Sequence, residues 1–476
     1  MPGWLWFLIQ FLIIGGFFTY IIISSKKAIA EGRTTWFMKT WKKDSVKSIA
    51  SSLISIICGL LIGALILFIM AIIPSGGVSL SLKSFIEGVQ LIFSGVFSLG
   101  KENGVLSFGF NPKLFGDMLF RATPLILTGL SVAIAFKTGL FNIGAPGQYL
   151  VSTAVTLILA LSIPTTVVPP FFVWLIAFLG GIIVAALWGA VPGIFKAFLN
   201  INEVITCIMM NWIAANVVTM IFDKEIGLFK HLLDPSGTKN LAYVFKTSEN
   251  GVETSKMGLD LLFKDSQVNG GIIIAILIAI IVYVIINKTT FGYQLKACGS
   301  NKNASKYAGI NDKLCTIISM SIAGALAGAG AALYYLSGNT EFAWETYQSL
   351  PAIGFNGIPV ALLACNNPIG VIFSASFISL LDVNGMVLRW NTPYNEYISN
   401  IISAIIVYFS AFSLLFKQIL NGQIKLNFDS IFKKTKKNTI EINEPSNSLT
   451  ENDDEKVIES QLIENSEIIE KQEVNE

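Results

Sequence analysis

Few polar side chains in this chain could do chemistry, and most sit where apolar sequence is interrupted. Phe136–Tyr149, FKTGLFNIGAPGQY, sets Asn142 and Gln148 among Gly139, Gly144, Pro146 and Gly147. Leu350–Gly370, LPAIGFNGIPVALLACNNPIG, sets Asn356 beside Phe355, Gly357 and Pro359, ahead of Asn366, Asn367 and Pro368. Asn200–Asn211, NINEVITCIMMN, puts Glu203, Thr206 and Asn211 on one helix face. Neutral amides can hydrogen-bond an uncharged polar solute, but they cannot run acid–base or nucleophilic chemistry. The rest of the chain supplies little that could. The one histidine, His231, lies in a polar loop, and Cys58, Cys207, Cys298, Cys315 and Cys365 form no CxxC pair. Neither a disulfide framework nor a zinc site is read from them. There is no GxxxxGK[ST] phosphate loop, no carboxylate–histidine relay and no ring-forming channel filter.

These residues must be held by elements suited to lipid. Irregular backbone at membrane depth is tolerated only where protein covers it or a water-filled cavity meets it. Phe136–Tyr149 is therefore read as a broken helix near a permeation pathway, with Pro146 starting a helix rather than continuing one. An ordinary cytoplasmic loop capped by Lys137 is the alternative. Leu350–Gly370 is interrupted in the same way. One break in each half of the chain points to an internal pseudo-repeat with the pathway between the halves, though the two blocks are only faintly alike. Glu203 is either a functional group or a helix N-terminal charge capped by Asn202, and the structural reading leads. Asn211, deeper in its span, is the better pathway candidate. Gly324–Gly330, GALAGAG, is read as small-residue helix packing.

Composition fixes the class. Of 476 residues, 53% are hydrophobic and 13% charged, against roughly a quarter charged in soluble domains. The expectation is an all-α polytopic membrane protein of ten to eleven transmembrane helices. Apolar segments lie at 4–23, 49–73, 119–136, 149–163, 171–191, 197–222, 270–287, 315–336, 350–364, 370–381 and 398–416. Several are too short to cross comfortably and are expected to be broken or re-entrant. An amphipathic piece around Phe85–Phe97 is expected to lie along the outer surface. Residues 1–48 are read as an uncleaved N-terminal anchor helix and a basic cytoplasmic loop. Residues 49–417 form the transmembrane domain, with an extracellular loop at 223–269. Residues 418–476 are a cytoplasmic tail, basic and then acidic and disordered. Lysine clusters at 26–47, 288–313 and 417–437 fall inside by the positive-inside rule.

The cluster at 288–312, KTTFGYQLKACGSNKNASKYAGIND, is a polar island between two long apolar runs. Leu295, Ala297 and Cys298, then Ala304, Tyr307, Ala308 and Ile310, space like short amphipathic helices broken at Gly299 and stopped at Gly309. An ordered loop of this kind is a docking surface, which suggests a transporter driven by a separate engine.

Together, PLILTG (124–129), FNIGAPGQ (141–148), NEVITCIMMN (202–211), GYQLKACGSNKNASKYAGI (292–310) and GIPVALLACNNPIG (357–370) resemble the permease subunits of bacterial ABC importers. The group is that of nucleosides and simple sugars, related to ribose and branched-chain amino-acid permeases. The resemblance covers roughly Leu119–Phe416. It implies a multi-pass protein of the bacterial plasma membrane that does no bond chemistry itself. Its partners would be a cytoplasmic ATP-binding subunit, a second permease chain in a heterodimer, an extracytoplasmic substrate-binding lipoprotein and membrane lipid. No nucleic acid, cofactor or metal is implied. The island would be the coupling loop, with Ala297, Gly299, Ala304 and Gly309 on family-like positions. The substrate pathway is assigned to Asn142, Gln148, Asn211 and Asn356. Amide and aromatic groups suit an uncharged nucleoside. A simple sugar or other small polar solute carried by the same machine is the alternative, and a stand-alone secondary carrier the reading from another class. The sequence departs from the family at Pro146, where an acid is usual, and at Ser305, where alanine is usual. The segment before Lys47 and the acidic tail are additions.

Overall fold

A computed structural model of the chain describes residues 82–238, 240–392 and 411–422 continuously, and 35–72 apart from Lys42. Scattered positions within 5–27 and 394–409 are also described. The expected anchor at 4–23 and span at 398–416 are thus covered only in part, and the tail beyond Gly422 lies outside the described residues.

The protein is an all-α polytopic membrane protein. Eight of its described helices are long and apolar enough to cross a membrane. In chain order the elements that matter are α1 (Asp44–Ile72), α2 (Leu82–Ser94), α3 (Pro112–Lys137), α4 (Ala145–Ser162), α5 (Pro170–Leu199) and α6 (Glu203–Ile221). There follow α7 (Gly271–Lys288), α8 (Thr290–Ser300), α9 (Lys302–Tyr307), α10 (Asp312–Tyr335), α11 (Ala352–Leu363) and α12 (Pro368–Asn391). Asparagine starts many of these helices. Asn111, Asn202, Asn301, Asn311 and Asn367 each accept a hydrogen bond from a backbone N–H two or three residues on. That satisfies donors a helix start leaves open. Two short two-stranded sheets lie at the end of the bundle opposite the island. β1 (Ser98–Glu102) pairs antiparallel with β2 (Val105–Phe108), and β3 (Leu241–Val244), in the 223–269 insert, with β4 (Phe342–Glu345).

The most enclosed span is α3, which packs against α10, α11, α12 and α7. The largest helix–helix seam joins α5 to α10 and is made of small residues. A Cβ built on Gly189 would fall 2.6 Å from the Met320 carbonyl and 3.0 Å from Gly324 Cα. One on Gly324 would meet the Ala185 carbonyl. The GALAGAG run therefore brings backbone onto backbone, as small-residue packing requires.

One expectation needs correction. The short segment 370–381 is the middle of a longer helix, α12, which runs on through Asp382, Asn384 and Arg389 to Asn391. Among the polar residues that end the hydropathy signal, Asn384 is met by protein: its Nδ2 donates to the Ile92 carbonyl at 2.8 Å, and Val96 N–H donates to its Oδ1 at 2.7 Å. The same bonds hold the piece around Phe85–Phe97. It forms α2 and a 3-10 turn (Gly95–Phe97) that pack on α12 with Leu91, Ile92 and Val96 buried, while Ile86 and Phe93 are exposed.

Gly324→Val should force a branched side chain into the α5–α10 seam, where overpacking costs about 1–3 kcal/mol. The expected result is a lower unfolding temperature for the purified protein in detergent, with Leu187→Val, on the exposed face of α5, unchanged.

Candidate functional site

The first interruption is a real break. Helix α3 ends at Lys137, Thr138 Oγ1 donates back to the Ala135 carbonyl at 2.8 Å, and Gly139 turns the chain at φ +71°. That left-handed value suits glycine. The chain then doubles back along α3, so that Asn142 Nδ2 donates to Ser131 Oγ at 3.0 Å. At a rise of 1.5 Å per residue, Ser131 lies about 9 Å inside the end of α3. Helix α4 thus begins within the bundle rather than at its rim, with Pro146 in its first turn. The loop alternative is overturned to that extent: the connection is covered by protein.

Side-chain amides hold this turn. Asn142 Nδ2 donates to Gln148 Oε1 at 2.9 Å, and Gln148 Nε2 donates to Asn142 Oδ1 at 3.1 Å, which also accepts from Gly144 N–H at 3.1 Å. From α6, Asn211 Oδ1 accepts from Gly147 N–H at 2.9 Å, and its Nδ2 donates to the Ile143 carbonyl at 2.9 Å. Asn142, Gln148 and Asn211 are 0%, 1% and 2% exposed. The structure therefore brings these three predicted residues into one buried network, bonded in this conformation to one another and to backbone. Asn356, half-buried on α11, stands apart from it.

The second interruption meets the first. A Cβ on Gly354 would fall 2.5 Å from Pro146 Cα, and one on Gly357 would fall 2.7 Å from the Thr128 carbonyl. Pro146 is buried in this contact, at the position where an acid is usual in the resembled family. At its far end α11 turns into α12 through Cys365 (φ +47°) and Asn366 (φ +57°). Two consecutive left-handed residues other than glycine make this a strained turn.

The island forms α8 and α9. Its break falls at Asn301, which caps α9, and not at Gly299, which lies inside α8. Gly299 is needed for approach instead: a Cβ there would fall 2.6 Å from the Lys137 carbonyl oxygen and 2.8 Å from Gly139 N. Asp312, the island's only acid, sits in the first turn of α10 with Lys302 Nζ at 3.4 Å and Lys306 Nζ at 3.7 Å. It ties α9 to α10. Gly309 ends the island in the left-handed region at φ +77°. The amphipathic reading fails on α9. Ser305 is buried, its hydroxyl donating to the Lys302 carbonyl at 2.8 Å, whereas Ala304 and Ala308 are exposed and Tyr307 is 94% exposed. Ala297 is half-buried on α8.

Glu203 pairs with Lys196 at 3.0 Å at the start of α6, in keeping with the structural reading. Arg121 and Asp382 are two further ionisable groups within spans, outside the sequence-predicted site. Their signal was simply charge inside apolar sequence. Arg121 Nη2 reaches Met386 Sδ at 3.4 Å, one turn beyond Asp382 on α12. Among the described residues no three His, Cys, Asp or Glu side chains are grouped to hold a metal ion.

Asn211→Ala should leave the Gly147 N–H and the Ile143 carbonyl buried without partners, at about 1–3 kcal/mol each. A clear fall in the unfolding temperature of the purified variant is expected; an unchanged value would show that the clamp is dispensable.

The family described as branched-chain amino acid transport system / permease component matches residues 114–411. The nucleoside ABC transporter permease protein NupB of Lactococcus lactis subsp. cremoris is 33% identical over 381 residues, 79% of this chain and 94% of that protein. The guanosine ABC transporter permease protein NupP of Bacillus subtilis is 34% identical over 375 residues, 78% of this chain and 95% of that protein. A glucose ABC transporter permease protein of Haloferax volcanii is 27% identical over 312 residues, 64% of this chain and 78% of that protein. No solved structure matches the chain.

Proposed function

Because the chain belongs to the permease-component family of the branched-chain amino acid transport system, we propose that it is the membrane-spanning subunit of an ATP-driven importer of nucleosides. The observation that carries the solute is the likeness to nucleoside and guanosine permeases at 33% and 34% identity over 94% and 95% of their lengths. The glucose relative, at 27% over 78% of its length, makes a simple sugar the second reading.

The partners follow from the same reading. A cytoplasmic ATP-binding subunit would dock on the island, an extracytoplasmic lipoprotein would deliver the solute, and a second permease chain would complete the pathway. Lactococcus lactis and Bacillus subtilis each have a further, less similar permease protein named for the same solute, which favours a heterodimer. The chain itself performs no bond chemistry.

Coupling would run through contacts already described. Force on α9 passes to α10 through Asp312, and force on α8 passes through Gly299 to the turn after α3. The Asn142, Gln148 and Asn211 network carries that displacement to α4 and α6. In an open state Asn142 and Gln148 would face the solute, beside Asn356 and Phe355 on the open side of α11. Ala297, Ala304 and Gly309 would complete the docked surface.

Uptake of labelled guanosine into cells lacking this gene should fall to background and return on complementation. Loss of sugar uptake alone would move the assignment to the second reading. In the assembled transporter, Gly299→Val should leave membrane abundance normal while uptake falls at least about tenfold, since the contact it blocks is backbone on backbone. Intact uptake would remove Gly299 from the coupling route.

A further inference from the structure

Four spans, α1, α5, α6 and α7, present long exposed faces. On α1, α5 and α7 these faces are hydrocarbon, as at Leu53 and Leu61, Ile183 and Leu187, Leu277 and Ile281. Acyl chains can cover them. The exposed face of α6 carries hydrocarbon too, at Ile205 and Ile213, but Met209, Trp212, Asn216 and Met220 also run along it at helical spacing.

Two of these residues are poorly suited to lipid. Trp212 is 56% exposed and stands at the centre of α6. With nine residues to either end it lies about 13 Å from both, far from the headgroup level where tryptophan anchors. Asn216 is exposed about 8 Å inside the Ile221 end of the helix. One amide N–H donates to the Trp212 carbonyl at 2.8 Å. The other N–H and the carbonyl oxygen bond nothing among the described residues. Such groups are costly against hydrocarbon and natural against a water-filled passage.

We propose that this stripe of α6 is a wall of the translocation pathway. Trp212 gives the passing nucleobase a stacking surface, and the Asn216 amide reads its polar edge. The proposal deepens the nucleoside reading and rests on it. The other side of α6 explains how such a wall would move. Asn211, next to Trp212 in sequence, clamps the first turn of α4, which continues from the turn that touches Gly299. Displacement at the island would therefore rotate or shift the Trp212 face. Met209 and Met220 flank the stripe with flexible, polarisable surface that accommodates different bases.

The test is thiol labelling in the assembled transporter, reconstituted with its partner chains. A water-soluble maleimide is applied to Asn216→Cys and to the lipid-side control Leu187→Cys, each read above the labelling of the native chain. Asn216→Cys should react at least about tenfold faster than the control, because only a hydrated surface supports the reaction. Guanosine with its binding lipoprotein should slow it. An unreactive Asn216→Cys chain that still imports nucleosides overturns the wall and leaves the transport reading standing. Labelling that appears only when the second permease chain is omitted makes the stripe a subunit seam, and equally overturns it. A reactive chain slowed by a simple sugar and by no nucleoside overturns the nucleobase assignment and the nucleoside reading together.

Discussion

A backbone inside a bilayer has no water to bond, so each irregular stretch must find its partners within the protein. Much of this molecule follows from how the turn after α3 meets that demand. Gly144 and Gly147 N–H and the Ile143 carbonyl are satisfied by the side-chain amides of Asn142 and Asn211. With those bonds in place, α4 can begin inside the bundle. Its first turn then meets Gly354 of α11, and the two interrupted segments become neighbours. Removing a side chain at Gly354, Gly357 and Gly299 is the steric counterpart of the same demand: helices must come close enough for a short, covered turn to fit between them.

The sequence made the breaks visible through their glycines, prolines and amides, and it made the spans visible through their hydropathy. It did not make the partners visible. Asn142 and Gln148 are close in the chain, but Asn211 reaches Gly147 across 64 residues, a pairing no local pattern encodes. The length of α12 was hidden for the same reason, since Asn384 finds its partner in Val96, 288 residues away. Gly299 was legible as a special residue and misread as a helix breaker. Glycine's lack of a side chain and its backbone freedom look identical in sequence, and only the Lys137 carbonyl beside it decides between them. On α9, Ser305 turned inward because its hydroxyl could be satisfied locally by the Lys302 carbonyl, which freed Tyr307 to face out.

The electrostatics of the island divide its labour. Asp312 is nearly buried and shared by two lysines that remain substantially exposed. The pair interactions are therefore partly screened, and their worth lies in fixing where α9 sits on α10 more than in stability. Apolar exposure is concentrated elsewhere, on the outer faces of α1, α5, α6 and α7.

The contact between Gly299 and the turn after α3 has a consequence for how such a protein can change over time. It consists of main-chain atoms, so no side chain can be added at Gly299 without breaking the fit. Trp212, Asn216 and Asn356, which would meet a solute on the proposed reading, stand on α6 and α11 instead. On the proposed coupling route, cargo preference would diversify while the connection to the motor stays fixed, which would give one chassis the freedom to acquire many payloads.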